Sequence, residues 1–128
     1  MSDKSIAQRM FIKPGFKMAI LNAPPGYIET IGEIPEDVKI LTTLVSSVDI
    51  IQLFIKSRSE LEKNFKQLKQ ALKDDGSLWI SYPKGTSKVE TDINRDIIWK
   101  IGEGLGLKPV AMISIDPVWA AFRLKKVL

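Results

Sequence analysis

The sequence contains neither cysteine nor histidine. Without cysteine there is no disulfide, no thiolate nucleophile and no zinc site built on sulfur ligands. Without histidine there is no imidazole base or ligand, and the usual serine triad is excluded because its proton shuttle is a histidine. The carboxylates show no spacing typical of an acid/base pair or of a cation-binding loop. We therefore predict no metal site and no catalytic residue.

Long hydrophobic runs are also missing. The most apolar region, residues 40–55, is interrupted by polar side chains, whereas a membrane-spanning helix needs about 20 predominantly apolar residues. The start of the chain, Met-Ser-Asp-Lys, lacks the apolar stretch of a signal peptide. We expect a cytoplasmic protein with no membrane partner. It should form one domain over residues 1–128, with residues 1–14 as an N-terminal helical extension.

The charge is unevenly distributed along the chain. The formal net charge is +4, and the whole excess lies in residues 65–128, which hold eleven Lys or Arg and seven Asp or Glu. A basic half suits an anionic ligand or nucleic acid, although a lysine-rich solvated surface has the same composition. Nucleic acid is the weaker interpretation because the basic residues are scattered and no stacking platform is visible.

Alternating strands and helices predict an α/β fold. Strands are predicted over residues 16–21, 38–44, 49–55, 77–82, 109–115 and 118–126. This order predicts a single-domain α/β three-layer sandwich with a mostly parallel sheet of about six strands that ends in an antiparallel hairpin. Because only residues 45–48 separate the second and third strands, and a parallel crossover needs a dozen or more residues, we expect the second strand to run antiparallel.

The helices are predicted from apolar spacing and caps. Short helices are expected over residues 4–12 and 27–32, and long ones start at the capping box Ser59-x-x-Glu62 and near Thr91. The buried positions are Ile6, Met10 and Phe11 in the first helix, Leu61, Phe65, Leu68 and Leu72 in the third, and Ile93, Ile97, Ile101 and Leu105 in the fourth. Trp79 is expected in the core and Trp99 at the surface. The final strand is expected to be a charged edge.

Two resemblances rest on motifs. Residues 49–82, with Ala71-Leu72-Lys73-Asp74-Asp75-Gly76 and Leu78-Trp79-Ile80-Ser81, resemble the later half of class I S-adenosylmethionine-dependent methyltransferases, and residues 91–126 resemble that family's closing βαββ. The chain more closely resembles a family of short uncharacterised bacterial proteins, a domain of unknown function. That likeness is carried by Lys13-Pro14-Gly15, Leu21-Asn22-Ala23-Pro24, Gly26-Tyr27, Leu53-Phe54, Ser57-Arg58 and Trp79-Ile80-Ser81-Tyr82-Pro83-Lys84. Together they imply a Rossmann-like fold similar to a truncated methyltransferase, without implying an activity.

The methyltransferase likeness does not extend to the cofactor-binding turn. The first strand should lead into a glycine-rich turn, and the second should end near an acidic residue that holds ribose hydroxyls. Here the turn is Asn22-Ala23-Pro24-Pro25-Gly26, in which two prolines lack N–H donors, and residues 41–46 contain no acid. We predict no cofactor, and S-adenosylmethionine is disfavoured.

Candidate ligand-binding residues follow the carboxyl ends of the strands, where open α/β sheets bind ligands. They are Asn22, Ala23, Pro24, Gly26, Tyr27, Lys56, Ser57, Tyr82 and Lys84. Their amide, phenol and ammonium groups suit a small anion or a nucleotide fragment. The alternative is that Asn22 and Tyr82 satisfy loop backbone groups while the lysines are solvated. The basic loop at residues 83–88 lacks the spacing of a phosphate loop.

The leading functional hypothesis is a non-catalytic or cryptically active Rossmann-like domain that binds a small anionic ligand or a protein partner, and a homo-oligomer is compatible with it. An exposed Trp99 would suit a protein interface. The first alternative is a reduced S-adenosylmethionine-dependent methyltransferase. The second is a nucleic-acid accessory protein.

Overall fold

A six-stranded sheet organises the chain in the computed structural model, which describes residues 5–127. The elements are α1 (Ile6–Arg9), β1 (Lys17–Leu21), α2 (Tyr27–Thr30), β2 (Lys39–Leu41), β3 (Val48–Phe54), α3 (Arg58–Ala71), β4 (Leu72–Pro83), α4 (Arg95–Gly104), β5 (Leu107–Ser114) and β6 (Trp119–Lys126). The strand order is β2-β1-β3-β4-β6-β5, parallel from β2 to β4 and antiparallel where β6 pairs with β4 and β5. The predicted α/β fold with a closing antiparallel hairpin is confirmed.

The sheet is covered on both faces, which explains its continuous apolar strands. On one side, the helical face, α3 and α4 pack over alternate residues of the central strands, such as Ile51, Leu78 and Leu124. On the other side, the N-terminal face, α1, α2 and their loops pack over Ile50 and Trp79. Trp79 is fully buried and Trp99 is 46% exposed, as predicted. Among residues 5–127, no helix combines the length and apolar character needed to cross a bilayer.

The N-terminal segment forms a much shorter helix than predicted. Ile6 and Met10 are buried as expected, but Phe11 is 53% exposed and has a left-handed φ of 61°. The chain therefore leaves the helical path before Phe11 can continue the stripe. The first four residues of the predicted extension lie outside the described part of the chain. From Ile6 to Ile12 the segment contributes side chains to the N-terminal core, so it packs as part of the sandwich.

The prediction that the second strand runs antiparallel is wrong. β2 pairs in parallel with β1, on the side opposite β3. Its Leu41 is level with Ala19, while Ile50 of β3 is level with Met18. The chain must therefore move across two strand spacings and back by about three residues, a distance of about 14 Å. Residues 41–48 can span about 23–25 Å when extended, so a three-residue strand removes the need for a helical crossover.

The cap of α3 lies two residues earlier than predicted. Ser57, not Ser59, is the N-cap, and its hydroxyl accepts from the Glu60 N–H at 3.2 Å. The Glu60 carboxylate accepts from the Lys56 N–H, also at 3.2 Å. Both serines are followed by glutamate at the third position, so spacing alone could not choose between them. The predicted buried positions Leu61, Phe65 and Leu68 are confirmed, whereas Leu72, although buried, lies past the helix end as the first residue of β4.

The fourth helix is shifted by one residue on its buried side. The cap predicted near Thr91 is Asn94, whose side chain accepts from the Ile97 N–H at 3.0 Å. Ile98 and Gly102 are its buried positions, whereas the predicted stripe from Ile97 to Leu105 is only partly buried. A Cβ on Gly102 would lie 3.5–3.6 Å from Leu124, Phe65 and Leu107, so this position faces the sheet at ordinary van der Waals distance.

Two further differences concern strand ends. β4 begins at Leu72, five residues before the predicted start at residue 77, so Asp75 and Gly76 lie within the strand. The last strand, β6, is paired on both sides, so β5 is the sheet edge instead of the predicted final strand. Chain order therefore misled the edge assignment, because β6 folds back and inserts between β4 and β5.

Gly76 provides a test of the joint between α3 and β4. A Cβ there would lie 2.8 Å from the Asp49 carbonyl oxygen and 2.7 Å from Leu72 Cδ1. We expect Gly76→Ala to lower the free energy of unfolding by about 1–3 kcal/mol, because the β3 backbone cannot move away cheaply. Gly85→Ala is the matched control, since nothing lies within 4 Å of its added Cβ. Equal urea midpoints for the two variants would contradict this packing.

Candidate functional site

The strand order reverses between β1 and β3. From β1 the chain goes to β2 on one side, then returns to β3 on the other. In open α/β sheets this arrangement opens a crevice beyond the carboxyl ends of the two strands. The loop after β1 and the residues after β3 therefore flank the expected ligand position. This is the edge on which the predicted Asn22 and Lys56 lie.

The loop after β1 makes its turn without a glycine-rich sequence. Asn22 adopts a left-handed φ of 59° and Gly26 a φ of 80°. Asparagine tolerates this conformation better than most residues, and glycine adopts it freely. Between them, Pro24 accepts from the Tyr27 N–H at 3.1 Å. The prolines leave the turn with fewer N–H donors than a glycine-rich loop would offer.

Tyr27 anchors this loop beneath the crevice. Its hydroxyl donates to Gln52 Oε1 at 2.9 Å, and Gln52 Nε2 donates to Ser81 Oγ at 3.0 Å. All three side chains are buried. Burial raises the pKa of Tyr27 to about 12, with a smaller raising effect from Asp116 and opposing effects from the Gln52 hydrogen bond and a nearby arginine. The Tyr27 hydroxyl is therefore a structural donor.

Aromatic packing extends from Tyr27 across the crevice floor. The Tyr27 and Phe54 rings meet edge to face with centroids 4.7 Å apart, and Phe54 meets Trp119 in the same way at 5.1 Å. Trp119 starts β6, whose amino end lies at the carboxyl edge because β6 runs antiparallel to β4. The last strand thus brings an aromatic side chain to the site.

Two clefts flank the loop after β1. The first, called here the Trp119 cleft, has a volume of about 380 Å³ and is lined by Asn22, Ala23, Pro24, Pro25, Phe54, Lys56, Glu60 and Trp119. The second, called here the Thr42 cleft, also has about 380 Å³ and shares Asn22, Ala23 and Pro24 while adding Gly26, Tyr27, Glu29 and Thr42. Both volumes fall within the range of small-molecule sites. The crevice is therefore open on both sides of the loop.

A third cleft, of about 640 Å³, contains Lys56, Ser57 and Lys84. It does not have a free helix terminus to offer an anion. The Asp92 carboxylate accepts from the Arg58 N–H at 2.7 Å, and the Ser57 hydroxyl is used as the cap of α3. Lys84 Nζ donates to a serine hydroxyl on β5 at 2.5 Å. Asp92, Ser57 and Lys84 are thus already bonded to groups of the chain itself.

Tyr82 lies apart from the other predicted residues. Its side chain packs on the helical face, where its hydroxyl donates to Met112 Sδ at 3.3 Å. Burial raises its pKa, with Arg95 opposing and Asp96 adding to that shift. Strand alternation explains the outcome, since a residue at a strand's end still points to one face.

Sequence reasoning missed Phe54, Glu60 and Trp119 in the Trp119 cleft, and Glu29 and Thr42 in the other. Glu60 had a signal, because it lies only four residues after the predicted Lys56. Trp119 could have been found from the antiparallel hairpin, which returns the start of the last strand to the carboxyl edge. Among residues 5–127, no group of three or more carboxylates lies close enough to hold a metal ion.

Comparison with solved structures defines the fold class. The Methanococcus jannaschii fibrillarin pre-rRNA processing protein aligns with a TM-score of 0.60 at 19% identity, covering 90% of this chain and 68% of that chain. A TehB-like S-adenosylmethionine-dependent methyltransferase from Corynebacterium glutamicum aligns with a TM-score of 0.62 at 12% identity, covering 98% and 89%. DhpI in complex with S-adenosylhomocysteine aligns at 0.63 with 9% identity, covering 90% and 78%.

Because the sequence identities are below 25%, these structural alignments establish the fold alone. The chain has the Rossmann-like fold of class I S-adenosylmethionine-dependent methyltransferases. No family model matches the sequence, and no curated protein matches it significantly.

Removing the Tyr27 hydroxyl tests the anchor. We expect Tyr27→Phe to lower the free energy of unfolding by about 1–3 kcal/mol, because buried Gln52 Oε1 loses its donor. Tyr82→Phe is the matched control in the only other tyrosine, and it should cost less because thioether sulfur is a weak acceptor. Equal losses in chemical denaturation would contradict the anchor.

The pH dependence of the same variant follows from linkage. Because the folded pKa of about 12 exceeds the unfolded value of about 10, the contribution of Tyr27 is complete below pH 10 and is lost as pH rises toward 12. We expect the stability gap between the wild type and Tyr27→Phe to narrow across this window. A gap that stays constant or widens would be inconsistent with a neutral, buried phenol.

Proposed function

We propose that the Trp119 cleft binds a small molecule that carries both a positive and a negative group beside an apolar or aromatic body. The observation that carries this proposal is the lining itself. One cation, Lys56, and one carboxylate, Glu60, lie with apolar Pro24, Phe54 and Trp119 in a cleft at the strand-order reversal. A concave, largely apolar site with a few polar groups is the usual form of a small-molecule site.

The charges that line the cleft favour a ligand with groups of both signs over the purely anionic ligand expected from the sequence. A purely anionic molecule would be attracted by Lys56 and repelled by Glu60 in the same cleft. The neighbouring 640 Å³ cleft has the same balance, with Lys56 and Lys84 facing Glu90 and Asp92. A ligand with groups of both signs would meet a partner for each.

S-adenosylmethionine and its product S-adenosylhomocysteine match this description, since each joins an amino-acid zwitterion to a purine nucleoside. The likeness to DhpI bound to S-adenosylhomocysteine supports testing them first. Glu29 and Thr42 in the adjoining cleft offer oxygens suited to ribose hydroxyls, although here the acid comes from α2 instead of the residues after β2. Pro24 and Pro25 fit the usual cofactor turn poorly. The residues of the two clefts thus fit binding of S-adenosylmethionine or S-adenosylhomocysteine better than they fit the full set of cofactor-binding motifs of a methyltransferase.

Methyl transfer from S-adenosylmethionine is the second candidate function, favoured by the likeness in fold to methyltransferases. A protein partner is supported by the exposure of Trp99 on α4 and of Met112 on the edge strand. Nucleic-acid binding and homo-oligomerisation stay predictions from the sequence.

Ligand-induced stabilisation tests the proposed site. We expect S-adenosylhomocysteine to stabilise the protein, by about 2.7 kcal/mol at a concentration 100 times its Kd. Lys56→Gln and Glu60→Gln should each weaken binding by about tenfold, because each removes one charge from a charge-assisted contact. Glutamine at position 60 keeps an acceptor for the Lys56 N–H. Lys63→Gln, on the exposed side of α3, is the control.

The outcomes separate the alternatives. Binding that resists Glu60→Gln but is lost in Lys56→Gln would favour a purely anionic ligand. If none of S-adenosylmethionine, S-adenosylhomocysteine, adenosine and methionine stabilises the protein, S-adenosylmethionine and related compounds are ruled out as ligands. Release of S-adenosylhomocysteine from S-adenosylmethionine in the presence of an acceptor would support the second candidate.

A further inference from the structure

A separate cleft lies at the opposite, amino edge of the sheet. It opens on the N-terminal face between the segment after α1 and the strands β3, β4 and β6, with a volume of about 330 Å³. Its wall contains the apolar side chains of Phe11, Phe16 and Ile50 together with Ser77 and Arg123. None of these residues lines the clefts at the carboxyl edge.

Arg123 is held in this cleft without a carboxylate. Its Nε donates to Ser77 Oγ at 2.9 Å, and its Cζ lies 5.0 Å from the Phe11 ring centroid and 5.9 Å from that of Trp79. Both distances are within the cation–π range. Within residues 5–127 it forms no ion pair. A partly buried guanidinium is thus oriented by stacking and one hydrogen bond.

The charges around Arg123 favour an anion. Lys13 and Lys125 also line the cleft, beside Asp49 and Asp75. Asp49 is already neutralised, because it pairs with Lys73 Nζ at 3.1 Å and accepts from a β1 N–H at 2.9 Å. Lys13, Arg123 and Lys125 therefore share the cleft with one remaining carboxylate, Asp75, which forms no ion pair within residues 5–127, so the cleft is net positive.

Phe11 covers the guanidinium in an unusual conformation. Its φ of 61° is uncommon for a bulky residue, and the residue is 53% exposed although its ring centroid lies 5.0 Å from Arg123 Cζ. Such strain persists where the surrounding structure enforces it, and ligand clamps are one such place. The exposed ring leaves an aromatic surface beside the charge.

We propose that this cleft binds a compact organic oxyanion, a carboxylate or a phosphate ester, whose oxygens accept from the terminal N–H groups of Arg123 while its apolar part contacts Phe11 and Phe16. The guanidinium fork matches both oxyanions, and its Nε is already fixed by Ser77. A cleft of about 330 Å³ is at the small end of ligand sites, so the ligand has a body about the size of one ring. This site is independent of the one under Proposed function.

Benzoate, phenyl phosphate and inorganic phosphate are the charged probes, and benzamide is the uncharged one. In amide NMR titrations of the full chain, we expect benzoate or phenyl phosphate to shift the signals of Ile50, Ser77 and Lys125, and benzamide to leave them unchanged. Comparing the Kd of benzoate with that of phenyl phosphate shows whether the cleft prefers a carboxylate or a phosphate ester. Inorganic phosphate should bind more weakly because it lacks the apolar part.

Arg123→Lys keeps the charge but removes the fork, so we expect about tenfold weaker binding of the better aromatic probe. Arg95→Lys, on the exposed side of α4, is the matched control and should leave binding unchanged. Phe11→Leu, at an exposed position, should also weaken aromatic probes and keeps the test usable if Arg123→Lys perturbs folding. Equal binding of benzamide, equal effects of the two arginine variants, or shifts confined to residues 22–27 would each overturn the proposal.

Discussion

The buried hydrogen-bond chain from Tyr27 through Gln52 to Ser81 is the constraint on which the carboxyl edge depends. Gln52 is fully buried in the central strand β3, and leaving its amide unpaired there would be costly. Its two partners come from α2 and β4, so satisfying one side chain links three elements. The positions of the loop after β1 and of the Phe54 ring follow from that link. The crevice is therefore shaped from beneath.

The elements themselves were largely predictable, because strands buried on both faces and amphipathic helices have distinct periodicities. The errors occurred where the deciding contact is distant in sequence. Ser57 rather than Ser59 starts α3 because Asp92, in the loop before α4, accepts from the Arg58 N–H. The direction of β2 was predicted wrongly because the apolar run suggested a strand over residues 38–44. The strand is only three residues long, so its connection to β3 is long enough for a parallel arrangement.

The candidate site was predictable to the same extent. Residues that follow strand ends were located correctly at the edge, because parallel strands share a direction. The face of the sheet to which each side chain points was harder to predict. Tyr82 ends its strand on the helical face, while Trp119 reaches the crevice from an antiparallel strand. The anchor could not be foreseen, because its members are separated by 25 and 29 residues and each alone is an ordinary polar side chain.

The carboxyl and amino ends of the strands differ in how their charges are paired, and this explains part of the net charge of +4. At the carboxyl edge each lysine shares its cleft with a carboxylate, as Lys56 does with Glu60. At the amino edge Arg123 and Lys125 belong to the basic second half, and one of the two acids that line their cleft, Asp49, is paired with Lys73. The excess positive charge is thus partly concentrated at one end of the strands.

The prolines after β1 fit this division of roles. They remove donors that a pyrophosphate-binding turn would use, but they also restrict the backbone between two left-handed residues, Asn22 and Gly26. A restricted loop loses less conformational entropy when a ligand binds, so the crevice is largely preorganised. For the ligand binding that we propose there, side chains and apolar contact would supply the recognition, since few loop N–H groups are available. That consequence agrees with a cleft whose polar groups are Asn22, Lys56 and Glu60.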